Sequence, residues 1–87
     1  MTPDEWDRII AANIRAERAR TGVPQRELAA RMNEAGHETW RPQTVSNVET
    51  ASRRVLATEV IALSEILNVP VAVLMAVNGR GGTDGLH

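Results

Sequence analysis

Residues 42–50 have the sequence PQTVSNVET, which predicts a short helix with one apolar and one polar side. Pro42 opens the helix, because proline suits the first helical position and keeps the preceding residue out of the helical conformation. Val45 and Val48 are three residues apart, so we expect them to share the buried side. Short amide and hydroxyl side chains lie on the opposite side: Gln43, Thr44 and Asn47. The segment therefore predicts an amphipathic helix with a hydrogen-bonding outer surface.

Four further helices are predicted around this segment. The first begins at Thr2, which forms a capping-box pattern with Glu5, and it stops at Gly22. The other limits come from prolines, glycines and apolar residues at helical spacing. In chain order the four helices cover residues 2–22, 24–36, 60–68 and 70–78. We therefore predict an all-α fold, a compact five-helix domain over residues 1–78, followed by a flexible glycine-rich tail over residues 79–87.

The composition limits the classes of protein to which the chain can belong. Its 87 residues suffice for one small domain, and 43% hydrophobic with 24% charged residues is typical of a folded protein. Phe and Tyr are absent, so aromatic β-strands are scarce. Cysteine is also absent, which excludes disulfides, cysteine zinc sites and thiol catalysis. No apolar run approaches the ~20 residues of a membrane span and no secretory leader is visible, so we expect a cytoplasmic protein.

The net charge of −1 hides an uneven distribution of charge along the chain. Residues 1–12 carry a net charge of −2, residues 13–54 carry +3, and residues 55–87 carry −2. A basic middle between acidic ends is suited to a protein that meets phosphate groups on one face only. The charge pattern therefore favours a nucleic-acid partner that the net charge alone would argue against.

A series of short motifs over residues 10–74 resembles one known family. The motifs are Ile10-Ala11-x-x-Ile14-Arg15-x-x-Arg18, Gly22-Val23, Gln25-x-x-Leu28-Ala29, Thr44-Val45-Ser46-x-Val48-Glu49, Arg53 and Leu63-x-x-x-Leu67-x-Val69. In this order they resemble the lambda-repressor-like helix-turn-helix family of XRE type. The resemblance implies that helices 2 and 3 form the helix-turn-helix and that helix 3 lies in the DNA major groove. It also implies a sequence-specific transcriptional regulator of double-stranded DNA, and we expect a repressor.

The resemblance assigns DNA contacts to particular residues. Base contacts fall on Gln43, Thr44 and Asn47, with Arg41 at the entrance of helix 3 able to reach guanine or a phosphate. This fits their chemistry, since Gln and Asn bond bidentately to adenine and a Thr methyl can touch thymine. The expected phosphate contacts lie at helix starts, which favour anions, and on the loop after helix 3. They are Gln25, Arg26, Ser46, Arg53 and Arg54.

The family also places an arginine of helix 1 against a glutamate that closes helix 3. The matching residues are Arg18 and Glu49, so the resemblance implies a structural ion pair between them. The matching position of Gln25 braces helix 3 as well as binding phosphate. We therefore expect the pair of Arg18 and Glu49 to support the scaffold and not to contact bases.

The sequence departs from the family pattern between helices 2 and 3 and after helix 3. About six extra residues, within 33–39, separate the two helices, where the family has a short turn. We expect Trp40 to fill the core behind this insertion, and we expect Trp6 to be a core residue too. Ala51 stands where the family has a glycine, so we expect the loop to turn without an easy left-handed residue.

The apolar residues near the end of the domain exceed what a core of this size requires. They fit a core and a dimer interface equally well: Val71, Leu74, Met75 and Val77. Because two-fold assemblies are the commonest kind, we expect a homodimer on a partly palindromic operator. Its half-sites would lie ~34 Å apart, one turn of the DNA helix.

Other functions find little support in the residues. Glu34 and His37 have helical metal-pair spacing, but no second such unit exists, so we expect no metal and no cofactor. No serine stands in a nucleophile elbow, and we expect no enzyme. The alternative that stays open is a domain of the same fold that grips a protein, such as an antitoxin or an adaptor.

Overall fold

The computed structural model describes residues 1–77 of the chain, and these form helices joined by short turns and loops. The helices are α1 (Pro3–Thr21), α2 (Gln25–Glu34), α3 (Pro42–Glu49), α4 (Ala57–Leu67) and α5 (Val71–Leu74). The described residues contain no β-strand. The predicted all-α, five-helix fold is therefore confirmed. The predicted tail at residues 79–87 lies outside the described residues.

Helix α1 has the limits that its sequence predicts. The Thr2 hydroxyl accepts a hydrogen bond from the Glu5 N–H at 3.2 Å, and the Glu5 carboxylate accepts one from the Thr2 N–H at 2.8 Å. This capping box satisfies two N–H groups that the first turn leaves without a helical partner. At the other end Gly22 has a φ of 72°, a left-handed conformation that glycine adopts without strain.

Two helices end earlier than the sequence predicts. Helix α2 stops at Glu34, and Gly36, with a φ of 102°, turns the chain back so that the His37 N–H reaches the Met32 carbonyl at 2.9 Å. Helix α5 stops at Leu74, whereas the prediction continued to the Asn78-Gly79 pair beyond the described residues. There the Asn13 amide donates to the Leu74 and Ala76 carbonyls at 3.0 and 2.8 Å, which fixes the chain after the helix.

The core lies between all five helices. Its fully buried members are Ile14, Leu28, Met32, Trp40, Val45, Val48, Leu63, Leu67 and Leu74. Trp40 is 1% exposed, so its predicted place in the core is confirmed. The same prediction for Trp6 is wrong, because its side chain is 37% exposed. The core contacts of α1 begin with Ile10, one turn later, so the first turn of α1 extends beyond the core.

The turn after α3 also differs from the expectation. The sequence predicts a turn without an easy left-handed residue. In the structure Ala51 itself adopts the left-handed conformation, with a φ of 61°. Its N–H donates to the Val48 carbonyl at 3.1 Å, which closes the end of α3. The loop thus keeps the geometry for which glycine is best suited, at a cost in backbone strain.

Candidate nucleic-acid interface

Helix α3 packs against α2 and α1, and its polar side faces outward. Val45 and Val48 are buried in the core, while Gln43 on the opposite side is exposed. The Gln43 Nε2 donates a hydrogen bond to the Asn47 Oδ1 at 2.9 Å, so the two amides form one unit on the outer surface. Thr44 is half-buried, and its hydroxyl accepts from the Arg41 N–H at 3.0 Å, capping the first turn.

Glu49 fixes the C-terminal end of α3. Its buried carboxylate accepts from the Arg18 Nε and Nη2, the latter at 3.0 Å, and from the Gln25 Nε2 at 3.1 Å. The Arg18 Nη1 also donates to the Val23 carbonyl at 2.9 Å. Hydrogen bonding to Glu49 raises the pKa of Arg18 above its ordinary value. One carboxylate thus joins α1, the start of α2 and the end of α3.

The N-terminal end of α3 is fixed through the backbone carbonyl of Trp40. This carbonyl accepts from the Asn33 Nδ2 and from the Arg41 Nη1, both at 2.8 Å. The Asn33 amide also donates to the Ala29 carbonyl at 2.8 Å, and Arg41 donates to the Glu38 carbonyl at 3.0 Å. These bonds close the insertion into a compact loop, so α3 begins at a defined position despite the longer connection.

The side chain of Trp40 ties the same point to α4. Its indole Nε1 donates to the Glu59 carboxylate at 2.8 Å, and the Arg53 guanidinium lies 5.3 Å from the centre of the ring. Arg53 donates to both oxygens of Glu59 at 3.0 and 2.9 Å, and the Leu56 N–H donates to one of them at 2.8 Å. The loop after α3, the start of α4 and the start of α3 therefore share one buried carboxylate.

Opposing effects act on the pKa of Glu59. Burial disfavours the charged carboxylate and raises the pKa. The hydrogen bonds from Arg53, the Leu56 N–H and Trp40 outweigh burial, and they lower the pKa to about 2. Glu59 thus stays ionised wherever the domain is folded at ordinary pH, and hydrogen bonding to it raises the pKa of Arg53.

A helix-turn-helix family model matches residues 14–74, which is most of the chain. The chain belongs to the lambda-repressor-like, XRE-type helix-turn-helix family. It is therefore a DNA-binding transcription regulator, and α2 and α3 are the two helices of its helix-turn-helix. Comparisons with curated proteins and with solved structures gave no match.

The helix-turn-helix domain places the predicted DNA contacts in different surroundings. Those at the starts and outer sides of α2 and α3 are exposed or half-buried: Gln25, Arg26, Arg41, Gln43, Thr44, Ser46 and Asn47. Arg53 is bound to Glu59 and its side chain is 32% exposed. Arg54 is more exposed, at 70%, and it pairs with Asp7. Of the predicted arginine contacts, Arg41, Arg53 and Arg54 therefore also bond within the domain. The same is true of Gln25, which donates to Glu49, and of Gln43, which donates to Asn47.

Sequence reasoning missed Asn33 and Glu59, which fix the helix-turn-helix connection. Asn33 lies inside the insertion, where no pattern indicated which residue would bond the loop. Glu59 did give a weak signal, because it stands three residues after the N-cap position of α4 and accepts from the Leu56 N–H. A glutamate at that position is typical of a helix start, but Leu56 lacks the capping hydroxyl that makes the motif easy to see.

Clusters of metal-ligating side chains, pockets and membrane-spanning helices are absent from the described part of the domain. Within residues 1–77 no group of three or more acidic or histidine side chains could hold a metal ion. No pocket opens among these residues. None of their helices combines the length and apolar character that a bilayer crossing requires. Every buried side-chain nitrogen and oxygen in this region has a hydrogen-bond partner.

Proposed function

We propose that this regulator is a repressor that reads a specific DNA sequence with the outer side of α3 in the major groove. The observation that carries the proposal is the outward Gln43 and Asn47 pair on a helix fixed at both ends. Their mutual hydrogen bond leaves the Gln43 Oε1 and the Asn47 Nδ2 without a partner among the described residues. An acceptor beside a donor is complementary to the edge of adenine in the major groove.

The remaining contacts in the proposal surround this pair. Arg41 and Thr44 at the start of α3 complete the base-reading set, with Thr44 offering its methyl group to thymine. The phosphate contacts are those at the start of α2, on the flank of α3 and on the following loop. They are Gln25, Arg26, Ser46, Arg53 and Arg54. Contacts of this second kind position the domain on the duplex and carry no sequence information.

A homodimer on a partly palindromic operator is part of the same proposal. Near the end of the described chain, Val71, Met75 and Val77 are exposed, whereas Leu74 is fully buried. The three exposed side chains supply apolar surface that a second copy can cover, in keeping with the preference of oligomers for two-fold symmetry. The two reading helices would then lie ~34 Å apart. A cytoplasmic location stays a prediction.

A selection from random duplex DNA with the purified protein, at two salt concentrations, tests this function. Enrichment of a palindrome with half-sites about one helical turn apart supports an operator reader. A selection that enriches no sequence at either salt concentration contradicts the proposal and favours a domain that binds a protein partner. Sedimentation of the free protein at several concentrations tests the dimer separately.

Variants of the selected complex test the base contacts. We expect Asn47→Ala and Gln43→Ala each to weaken binding to the selected sequence by ~1–3 kcal/mol and to leave binding to unrelated DNA nearly unchanged. Thr58→Ala is the matched control, since it truncates an exposed polar side chain of α4. Equal losses on both kinds of DNA would remove the two amides from the base-reading set.

A further inference from the structure

Two aspartates at the start of α1 contact Arg54 in the loop that follows α3. The Arg54 Nε lies 2.9 Å from the Asp7 Oδ2, and the Arg54 Nη2 lies 3.7 Å from the Asp4 Oδ1. The Asp7 side chain is 26% exposed, whereas those of Asp4 and Arg54 are largely exposed. We call Asp4 and Asp7 the acidic turn. The acidic turn belongs to the acidic first twelve residues of the chain, and it contacts Arg54, which belongs to the basic middle segment.

The loop that carries Arg54 lies against the end of α3. The Ser52 and Arg53 N–H groups donate to the Asn47 carbonyl at 2.8 and 3.1 Å, so the loop folds back onto the reading helix. The Thr50 and Ser52 hydroxyls are 2.9 Å apart and hold the same turn. These bonds hold the loop that carries Arg54 directly beyond the C-terminal end of α3, and the proposed function assigns a DNA phosphate to Arg54.

We propose that the acidic turn restrains Arg54 and thereby limits sequence-independent binding of DNA; the inference rests on the proposed function. The guanidinium nitrogens that face Asp7 and Asp4 are the ones that a phosphate would take. Phosphate must displace the carboxylates or bind beside them, and both carboxylates repel it within the screening length of ~8 Å at physiological salt. Asp7 is the stronger restraint, since it is closer to Arg54 and less exposed.

The size of the effect follows from the nature of the contact. Exposed ion pairs of this kind shift equilibria by only a few-fold. We therefore expect Asp7→Asn to tighten binding by about two- to five-fold at low salt, with the gain falling as salt rises. The gain should be the same on the selected sequence and on unrelated DNA, because phosphate contacts do not depend on sequence. A purely structural role for Asp7 predicts the opposite sign, a loss of affinity with lost stability.

The test measures binding of the wild type, Asp7→Asn and Glu65→Gln to both duplexes at two salt concentrations. Glu65→Gln is the matched control, because it removes one exposed carboxylate from α4. The Glu65 side chain has no ion pair among the described residues. Unchanged or weaker binding by Asp7→Asn, or an equal gain in Glu65→Gln, overturns the proposal. If the wild type itself fails to bind DNA, the proposed function has failed and not this inference alone.

A second pair of variants asks whether the gain acts through Arg54. In an Arg54→Ala background the proposal predicts that adding Asp7→Asn leaves the affinity almost unchanged, since no guanidinium remains to be released. The same few-fold gain in both backgrounds would mean that loss of negative charge alone is responsible, and it would overturn the assignment to Arg54. Circular dichroism and thermal unfolding of each variant confirm that the compared proteins are equally folded.

Discussion

The C-terminal end of α3 is fixed by an ion pair, whereas its N-terminal end is fixed mainly by hydrogen bonds to one backbone carbonyl. At the C-terminal end, Glu49 receives Arg18 and Gln25, which come from α1 and α2. At the N-terminal end, the Trp40 carbonyl receives Asn33 and Arg41, which border the insertion. At the C-terminal end, one charged side chain provides most of the stabilisation. At the N-terminal end, several weaker hydrogen bonds share it.

The largest expected effect is at the C-terminal end. Glu49→Ala removes the carboxylate and leaves the buried part of the Arg18 guanidinium without its partner, so we expect the free energy of unfolding to fall by about 3 kcal/mol. Chemical denaturation of the purified variant measures this loss. Glu27→Ala is the control, because Glu27 pairs with Arg31 on the surface of α2, and we expect a loss below about 1 kcal/mol. Equal losses in the two variants would contradict the comparison.

Glu59, which accepts from the Trp40 indole behind the start of α3, forms an ion pair of its own with Arg53. Glu59→Gln removes the charge with little change in the shape of the side chain. We expect a loss of about 2 kcal/mol at neutral pH, for two reasons. One carboxylate oxygen becomes an NH2 group that cannot accept from the donors facing it, and the remaining hydrogen bond from Arg53 loses the negative charge of its acceptor. The wild type should lose this advantage in acid. The folded pKa of about 2 lies below the ordinary value of 4.5, so the stabilisation is complete above pH 4.5 and disappears as the pH falls towards 2.

Denaturation of both proteins between pH 7 and pH 2 measures this dependence. The difference in stability between wild type and Glu59→Gln should shrink as the pH falls below about 4.5. Glu65→Gln serves as the control, and its difference from the wild type should be small at every pH because its exposed carboxylate has no ion pair in the described part. A difference for Glu59→Gln that stays constant down to pH 2 would show that the ion pair with Arg53 does not stabilise the fold.

The comparison also shows which contacts the sequence can predict. The ion pair of Arg18 with Glu49 was predicted through the family resemblance, because both residues lie in regular helices whose positions can be matched to the family one by one. The network of Asn33 and Glu59 crosses an insertion whose conformation has no periodic signal. Residue type alone does not identify the partner either, because an arginine suits carbonyl, carboxylate and phosphate partners alike. The sequence therefore assigned Arg53 to DNA, while the structure adds a carboxylate and an indole ring as its partners within the domain.

A smaller effect is expected when the loop bond at the N-terminal end is removed. Asn33→Ala loses the amide that donates to the Ala29 and Trp40 carbonyls, and we expect a loss of about 1–2 kcal/mol. Asn33→Asp should be no better, since it keeps the size but has no N–H to donate. Because the start of α3 would no longer be fixed, we also expect the ratio of specific to unrelated DNA binding to fall. A stable Asn33→Asp variant with wild-type discrimination would exclude this role for Asn33.

The smallest effect, and the only gain in stability, is expected just beyond the C-terminal end. Ala51 has a φ of 61°, a conformation that costs a non-glycine residue about 1–2 kcal/mol. Ala51→Gly removes this strain but gives the unfolded chain more freedom, so a net stabilisation of about 0.5 kcal/mol remains. Ala12→Gly, in the exposed interior of α1, is the opposite control and should destabilise by about 1 kcal/mol. If both variants destabilise the protein equally, the left-handed conformation of Ala51 costs no measurable stability. The turn would then not counteract the stabilisation that Glu49 gives to the end of α3.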